Sequence, residues 1–319
     1  MDFQDLMIKA INYDYPEEIP ISIGMLPALW KLHSKELIKI CKRFPRFFRH
    51  INDDYDYQDH MHYTYRSGSY TDEWGCVWEN IEEGMIGLVT GHPVKTREDI
   101  RLLKIPDNRD GSIPHGFMYL RLLDLRGFDE AMMDFADECE ELSILIDKVT
   151  EYNCLQMEVL VNKANQRLLY FGDDLGMQNG LAIGPVKWRK YLKSSYKKIF
   201  EVPRKAGKYI YFHTDGMITE IIPDLFESGI HIVNPQYRAN GLDNLVNICK
   251  GRYPVSLDLD RQLFPFATPS ECKNHVFECV EALYQPSGGL CLNIELGPCI
   301  PLENIEALIE AADQCRLYK

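Results

Sequence analysis

The stretch from Lys208 to Gln236, KYIYFHTDGMITEIIPDLFESGIHIVNPQ, constrains the fold more than any other part of the chain. Tyr209 to Phe212 is a short apolar and aromatic run, as a buried strand needs. His213, Thr214 and Asp215 break that run, and Gly216 supplies a turn. Met217, Ile218, Ile221, Ile222 and Leu225 then recur at helical spacing as far as Gly229. Ile230 to Val233 starts a second strand. Two strands this close with a helix between them imply a parallel crossover. The polar trio therefore stands at the carboxyl end of a parallel strand, the end that carries the chemistry in α/β barrels.

The same alternation recurs along the second half. Leu168 to Phe171 reads as a buried strand, followed at once by Gly172, Asp173 and Asp174, then Gln178 and Asn179. Two adjacent carboxylates are costly to bury without partners, so one is expected to cap a segment while the other faces a pocket. Val255 to Leu259 is a strand whose end carries Asp258, Asp260 and Arg261, and Gly288 to Ile294 is a last strand ending at Glu295. Helices are expected over Pro185–Phe200, Leu242–Lys250, Ser270–Leu283 (capped by Thr268 or Ser270) and Pro301–Cys315. A polar group after each strand points to a (β/α)8 barrel rather than an open sheet. No glycine-rich nucleotide fingerprint is present.

The first half is less regular. Ile19 to Leu26 is a strand, Leu29 to Phe48 an amphipathic helix with a cationic end, Phe117 to Leu123 a strand and Phe128 to Tyr152 a long helix; Leu155 to Asn165 is helical or extended. Asn52 to Glu83 is rich in Tyr, Asp and His with two Trp, which favours a functional loop or hairpin over disorder. There Asp72, Trp74 and Trp78 are candidates for lining a pocket, the alternative being Trp as a core plug. His60 and His62 offer a pair of metal ligands without an evident third. The expected organisation is one barrel domain over 1–319, with 1–60 as a helical extension and first strand.

Charge and cysteine content bound the partners. A formal net charge of −13 disfavours nucleic acid, whose phosphates want a basic face. Ten cysteines without a leader-like start fit reduced thiols in a cytoplasm, and no apolar run approaches a membrane span. The basic segment Pro185–Phe200 stands out in so acidic a chain as a docking face or, more commonly, a solvated one.

The blocks FGDDLGMQNGLAIGPVKWRKYLKSSYKKIF, YFHTDGMITEIIPDLFESGIHIVNPQ, VSLDLDRQ and GGLCLNIELGPCIPLENIEAL resemble the uroporphyrinogen decarboxylase superfamily in sequence and order. LRGFDEAMMDFADECEELSILIDKV and YTDEWGCVWEN extend the resemblance upstream. One branch of that superfamily decarboxylates uroporphyrinogen without a cofactor. The other moves methyl groups to or from a corrinoid on a separate small protein, using zinc. The first branch carries arginines for the porphyrinogen carboxylates in its first strand region, whereas Ile19 to Trp30 contains none. Asp72 matches the pyrrole-binding Asp of that branch only weakly. The methyltransferase branch binds zinc through His-x-Cys after one strand and a Cys after the last. Here the first motif reads His213-Thr214-Asp215, and the last strand offers Glu295, with Cys299 four residues on.

The resemblance therefore implies zinc held by His213, Asp215 and Glu295, with Asp173 in a catalytic role. Asp72, Trp78, Asp174, Gln178, Asn234 and Asp258 would bind the donor. An oxygen-rich metal site is more Lewis acidic than a thiolate-rich one and suits an ether or amine methyl donor. The implied activity is transfer of a methyl group from a small methylated donor, such as an aryl methyl ether, to the cobalamin of a partner protein; a homodimer is compatible with it. The competing readings are a metal-free decarboxylase or lyase on a carboxylated substrate, and a non-catalytic binding subunit.

Overall fold

The apolar runs that end in polar residues are strands, and they pair in parallel as their spacing requires. In the computed structural model, which describes residues 2–318, the chain is α/β and divides into two compact units. One comprises the chain up to Ser69, Glu79–Leu88 and everything from Pro254 on; the other comprises Tyr70–Trp78 and Val89–Tyr253. The parallel strands are β1 (Ile21–Met25), β2 (Leu168–Gly172), β3 (Tyr209–Thr214), β4 (Ile232–Pro235), β5 (Val255–Asp258) and β6 (Leu290–Leu296). The α/β class is as expected; parallel strands number six among the described residues, two fewer than the barrel reading asks for.

In the first unit β6 is central. It pairs with β1 from Ile21↔Leu292 to Met25↔Leu296 and with β5 from Val255↔Leu290 to Asp258↔Asn293. The helix Pro269–Leu283 begins with a capping box between Thr268 and Glu271, which makes Thr268 the cap. Helix Pro27–Arg43 is shorter than expected and kinks at His33. The cations at its end are paired at the surface: Lys42 with Asp53, Arg43 with Glu306, and Arg46 with Glu18.

In the second unit β3 is central. Tyr211↔Ile232 and His213↔Asn234 set its register with β4, and Phe171↔Phe212 and Gly172↔His213 its register with β2. Gly172, His213 and Asn234 therefore lie side by side. Alternation puts Phe212 on the opposite face, where its ring meets Tyr196 and Phe200.

Three expectations change here. Phe117–Leu123 is not a strand but runs into the helix Tyr119–Arg126. The Asp173 carboxylate, remote in sequence, accepts the N–H groups of Met118, Tyr119 and Leu120 and so starts that helix. The long helix is two, Phe128–Asp137 and Glu140–Lys163, separated by Glu138 in the left-handed region, and the second absorbs most of 155–165. The basic segment is also two helices, Gly184–Tyr191 and Lys193–Lys205. Its charges are largely spent within the unit. Arg189 and Lys193 grip Asp224, Lys190 meets Glu138, and Lys187 donates to the Phe135 carbonyl. That is the solvated, ion-paired face rather than an open cationic one.

None of the ten cysteines is in a disulfide, and no helix among the described residues is long and apolar enough to cross a membrane.

Candidate metal centre

The row Gly172–His213–Asn234 decides the chemistry of the strand ends. Asn234 is buried, and its amide oxygen accepts a hydrogen bond from His213 Nδ1 at 2.7 Å. An amide oxygen only accepts, so Nδ1 carries a proton, and in the neutral ring Nε2 is then the atom with the lone pair. Nε2 faces Asp215 Oδ1 at 3.2 Å. Asp174 completes the group: ligand atoms of Asp174, His213 and Asp215 lie within 4.8 Å of one another, each side chain half-buried. A lone pair against carboxylates calls for a proton or a cation between them. Tetrahedral zinc holds ligands about 2.0–2.1 Å away and hence about 3.3 Å from each other, close to the His213–Asp215 separation. The donor set, one imidazole nitrogen and two carboxylates, fits a divalent ion.

The loops bearing these groups are stitched together by backbone. Asp215 N–H donates to Asp174 Oδ1 at 3.1 Å, Gly176 N–H to the Asp215 carbonyl at 3.1 Å, and Gly216 N–H to Gln236 Oε1 at 2.9 Å. A side chain at Gly216, where φ is +79°, would land 2.1 Å from the Gly176 backbone, so glycine is required there.

The adjacent aspartates take opposite roles. Asp173, read as catalytic from the sequence, is fully buried. Besides the three backbone N–H groups, it accepts the Tyr196 hydroxyl at 2.6 Å. Burial pushes its pKa up, although Tyr196 and the backbone donors oppose this. Asp173 is thus the capping member of the pair, and Asp174 is the one that faces the cluster. Burial would raise the Asp174 pKa too, but the hydrogen bond and charge of His115 outweigh it and hold the carboxyl below its ordinary value. His115 Nε2 stands 3.1 Å from Asp174 Oδ2. For His115 burial acts downward, and the Asp174 hydrogen bond and charge reverse it and lift the pKa above the usual imidazole value. Sequence reading passed over His115. Its one signal was the requirement that a carboxylate beside Asp173 find a donor.

The other expected site residues are placed as follows. Glu295 belongs to the first unit, where it is ion-paired with Arg261, and the cluster around His213 takes Asp174 as its third member. Asp258, also in the first unit, is buried and accepts from Asn293 Nδ2 at 2.9 Å. Asn234 orients His213. Gln178 is exposed between the short strands Gly176–Met177 and Gly180–Leu181. Asp72 accepts from Trp74 N–H, Cys76 N–H, Trp78 Nε1–H and Arg121. Trp78 stacks on Tyr70, and Trp74 is buried edge-on to Tyr152, the core role. His60 stacks on Tyr55 and His62 packs on Tyr63, and among the described residues neither belongs to a group of three potential metal ligands.

An α/β chain with parallel strands and an imidazole–carboxylate cluster at their carboxyl ends belongs to a class that builds its sites from strand-end loops. Residues 118–315 match the family described as uroporphyrinogen decarboxylase (URO-D), which is more than half of the chain. The chain belongs to that family. No curated protein matches it. A methyltransferase from Methanosarcina mazei superposes with a TM-score of 0.71 at 16% identity, over 98% of each chain, and therefore shares the fold. A dihydropteroate synthetase superposes over 57% of this chain and 66% of its own at 14% identity, with a TM-score of 0.36, too low to carry weight.

Proposed function

We propose that this chain is a methyltransferase that moves a methyl group from a small methylated donor, such as an aryl methyl ether, to the corrinoid of a partner protein. The supporting observation is the Asp174–His213–Asp215 cluster, with His213 Nδ1 committed to Asn234 and Nε2 turned to the carboxylates. The proposal keeps His213 and Asp215 as zinc ligands and takes Asp174 in place of Glu295. A zinc ion held there supplies Lewis-acid polarisation of the donor's oxygen or nitrogen. The residues' own work is to hold and orient. Asn234 fixes the imidazole tautomer, and the backbone links between the 174–176 and 215–217 loops keep the two carboxylates at one spacing.

In the transfer the bond from methyl to oxygen or nitrogen breaks, and its pair stays on the heteroatom, which takes a proton. Cobalt(I) supplies the pair for the new carbon–cobalt bond and is formally oxidised to cobalt(III). The fold of the Methanosarcina mazei methyltransferase and the absence of arginine from Ile19–Trp30 favour this reading over porphyrinogen decarboxylation. Candidate methyl ethers and methylamines incubated with the protein and free reduced cobalamin test it. The expected result is the visible spectrum of methylcobalamin together with demethylated product. Carbon dioxide release from a carboxylated substrate without that spectral change would overturn it.

A further inference from the structure

We infer that His115 is the positioning residue of the metal centre, holding the Asp174 carboxylate on the ion from outside the ligand set. This inference rests on the zinc-site reading above. His115 follows the turn-rich stretch 108–114 and precedes the helix that Asp173 starts, and the Gly116 N–H donates to the Gly172 carbonyl at 2.8 Å. That bond brings the ring over the end of β2. There Nε2–H donates to Asp174 Oδ2 at 3.1 Å, and the ring centroid lies 5.7 Å from that of His213.

Asp174 is therefore held from two sides, by His115 on one oxygen and by the Asp215 N–H on the other. A carboxylate fixed at both oxygens loses its freedom to swing away, so little ordering is left to pay for when a cation arrives. Gly172 is part of the device. A side-chain carbon there would fall 2.4 Å from His115 Nδ1, so glycine alone leaves room for the ring. The glycine in the run FGDD thus has a stated purpose, and it ties a residue early in the second unit to the end of β2.

The test is zinc affinity by chelator competition, together with the visible spectrum of the cobalt(II)-substituted full chain. His115→Ala is expected to weaken zinc binding about 10- to 100-fold, the usual effect of losing an outer-shell partner. The cobalt bands should shift while the unfolding midpoint changes little. His115→Gln places an amide donor near Nε2 and should restore most of the affinity. Gly172→Ala, which keeps the imidazole but displaces it, should behave like His115→Ala. Wild-type affinity in His115→Ala or Gly172→Ala, or a His115→Gln variant as weak as His115→Ala, overturns the inference and leaves the zinc site standing. Failure of the wild-type chain to bind zinc or cobalt overturns both.

Discussion

The strand ends of the two units carry similar residues with different partners. In the first unit Glu295 has Arg261 beside it, and Asp258 has the Asn293 amide. In the second unit Asp174 and Asp215 are grouped with the imidazoles of His115 and His213. A carboxylate with its own guanidinium is already neutralised. Carboxylates beside imidazoles, whose charge is lost near neutral pH, remain more open to a cation than one held by a guanidinium. Residue type at a strand end therefore does not mark a metal site; what neutralises the residue does.

The largest expected effect comes from breaking the second cluster. His213→Ala or Asp215→Ala should abolish stoichiometric zinc and lower methyl transfer by about 1000-fold or more, an order set by loss of Lewis-acid assistance. Glu295→Gln should leave zinc content unchanged. Loss of zinc in Glu295→Gln, read by elemental analysis, would collapse the distinction between the units.

The next effect separates the neighbouring aspartates. Asp173→Ala strands Tyr196 and three backbone donors in the core, and should cost about 3 kcal/mol or more in denaturant unfolding. Asp174→Ala should cost far less stability and should instead lose zinc.

Asp124 in the second unit is only partly neutralised by its cation. Asp124 lies 3.9 Å from Arg121, which is already engaged by Asp72, and burial pushes the Asp124 pKa up to about 7 despite the guanidinium. The folded chain thus holds a proton that the unfolded chain has released. Stability from this group is fully present below about pH 4 and is lost as pH rises through about 7. Asp124→Asn should remove that decline, so its stability relative to wild type should improve by roughly 2–4 kcal/mol between pH 4 and pH 8. Parallel pH profiles for the two proteins would contradict this. The smallest effect belongs to the first unit's pair. Arg261→Ala leaves Glu295 about one-third exposed and should change stability by less than about 1 kcal/mol.

Strand β3 and the turn after it were legible because a buried run, a polar break and a helical period occur in one short stretch. The doublet Asp173–Asp174 was legible as one cap and one pocket group, without saying which was which. The choice depends on where the N–H groups of Met118, Tyr119 and Leu120 lie, and these are more than fifty residues away. The same remote cap turned Phe117–Leu123, apolar enough for a strand, into the start of a helix. His115 was invisible because its meaning arises only across the gap to Gly172 and Asp174.

The parallel strands of the second half, the family, and His213 with Asp215 as a polar pair after a parallel strand were determined by the sequence, since periodicity and motif are local properties. The third member of the cluster, the tautomer of His213 and the division of labour between Asp173 and Asp174 were decided only by tertiary structure. Each of these depends on which donor or cation is brought within about 3 Å of a carboxylate or ring nitrogen, and register and loop packing, rather than neighbouring residues in the chain, set that distance.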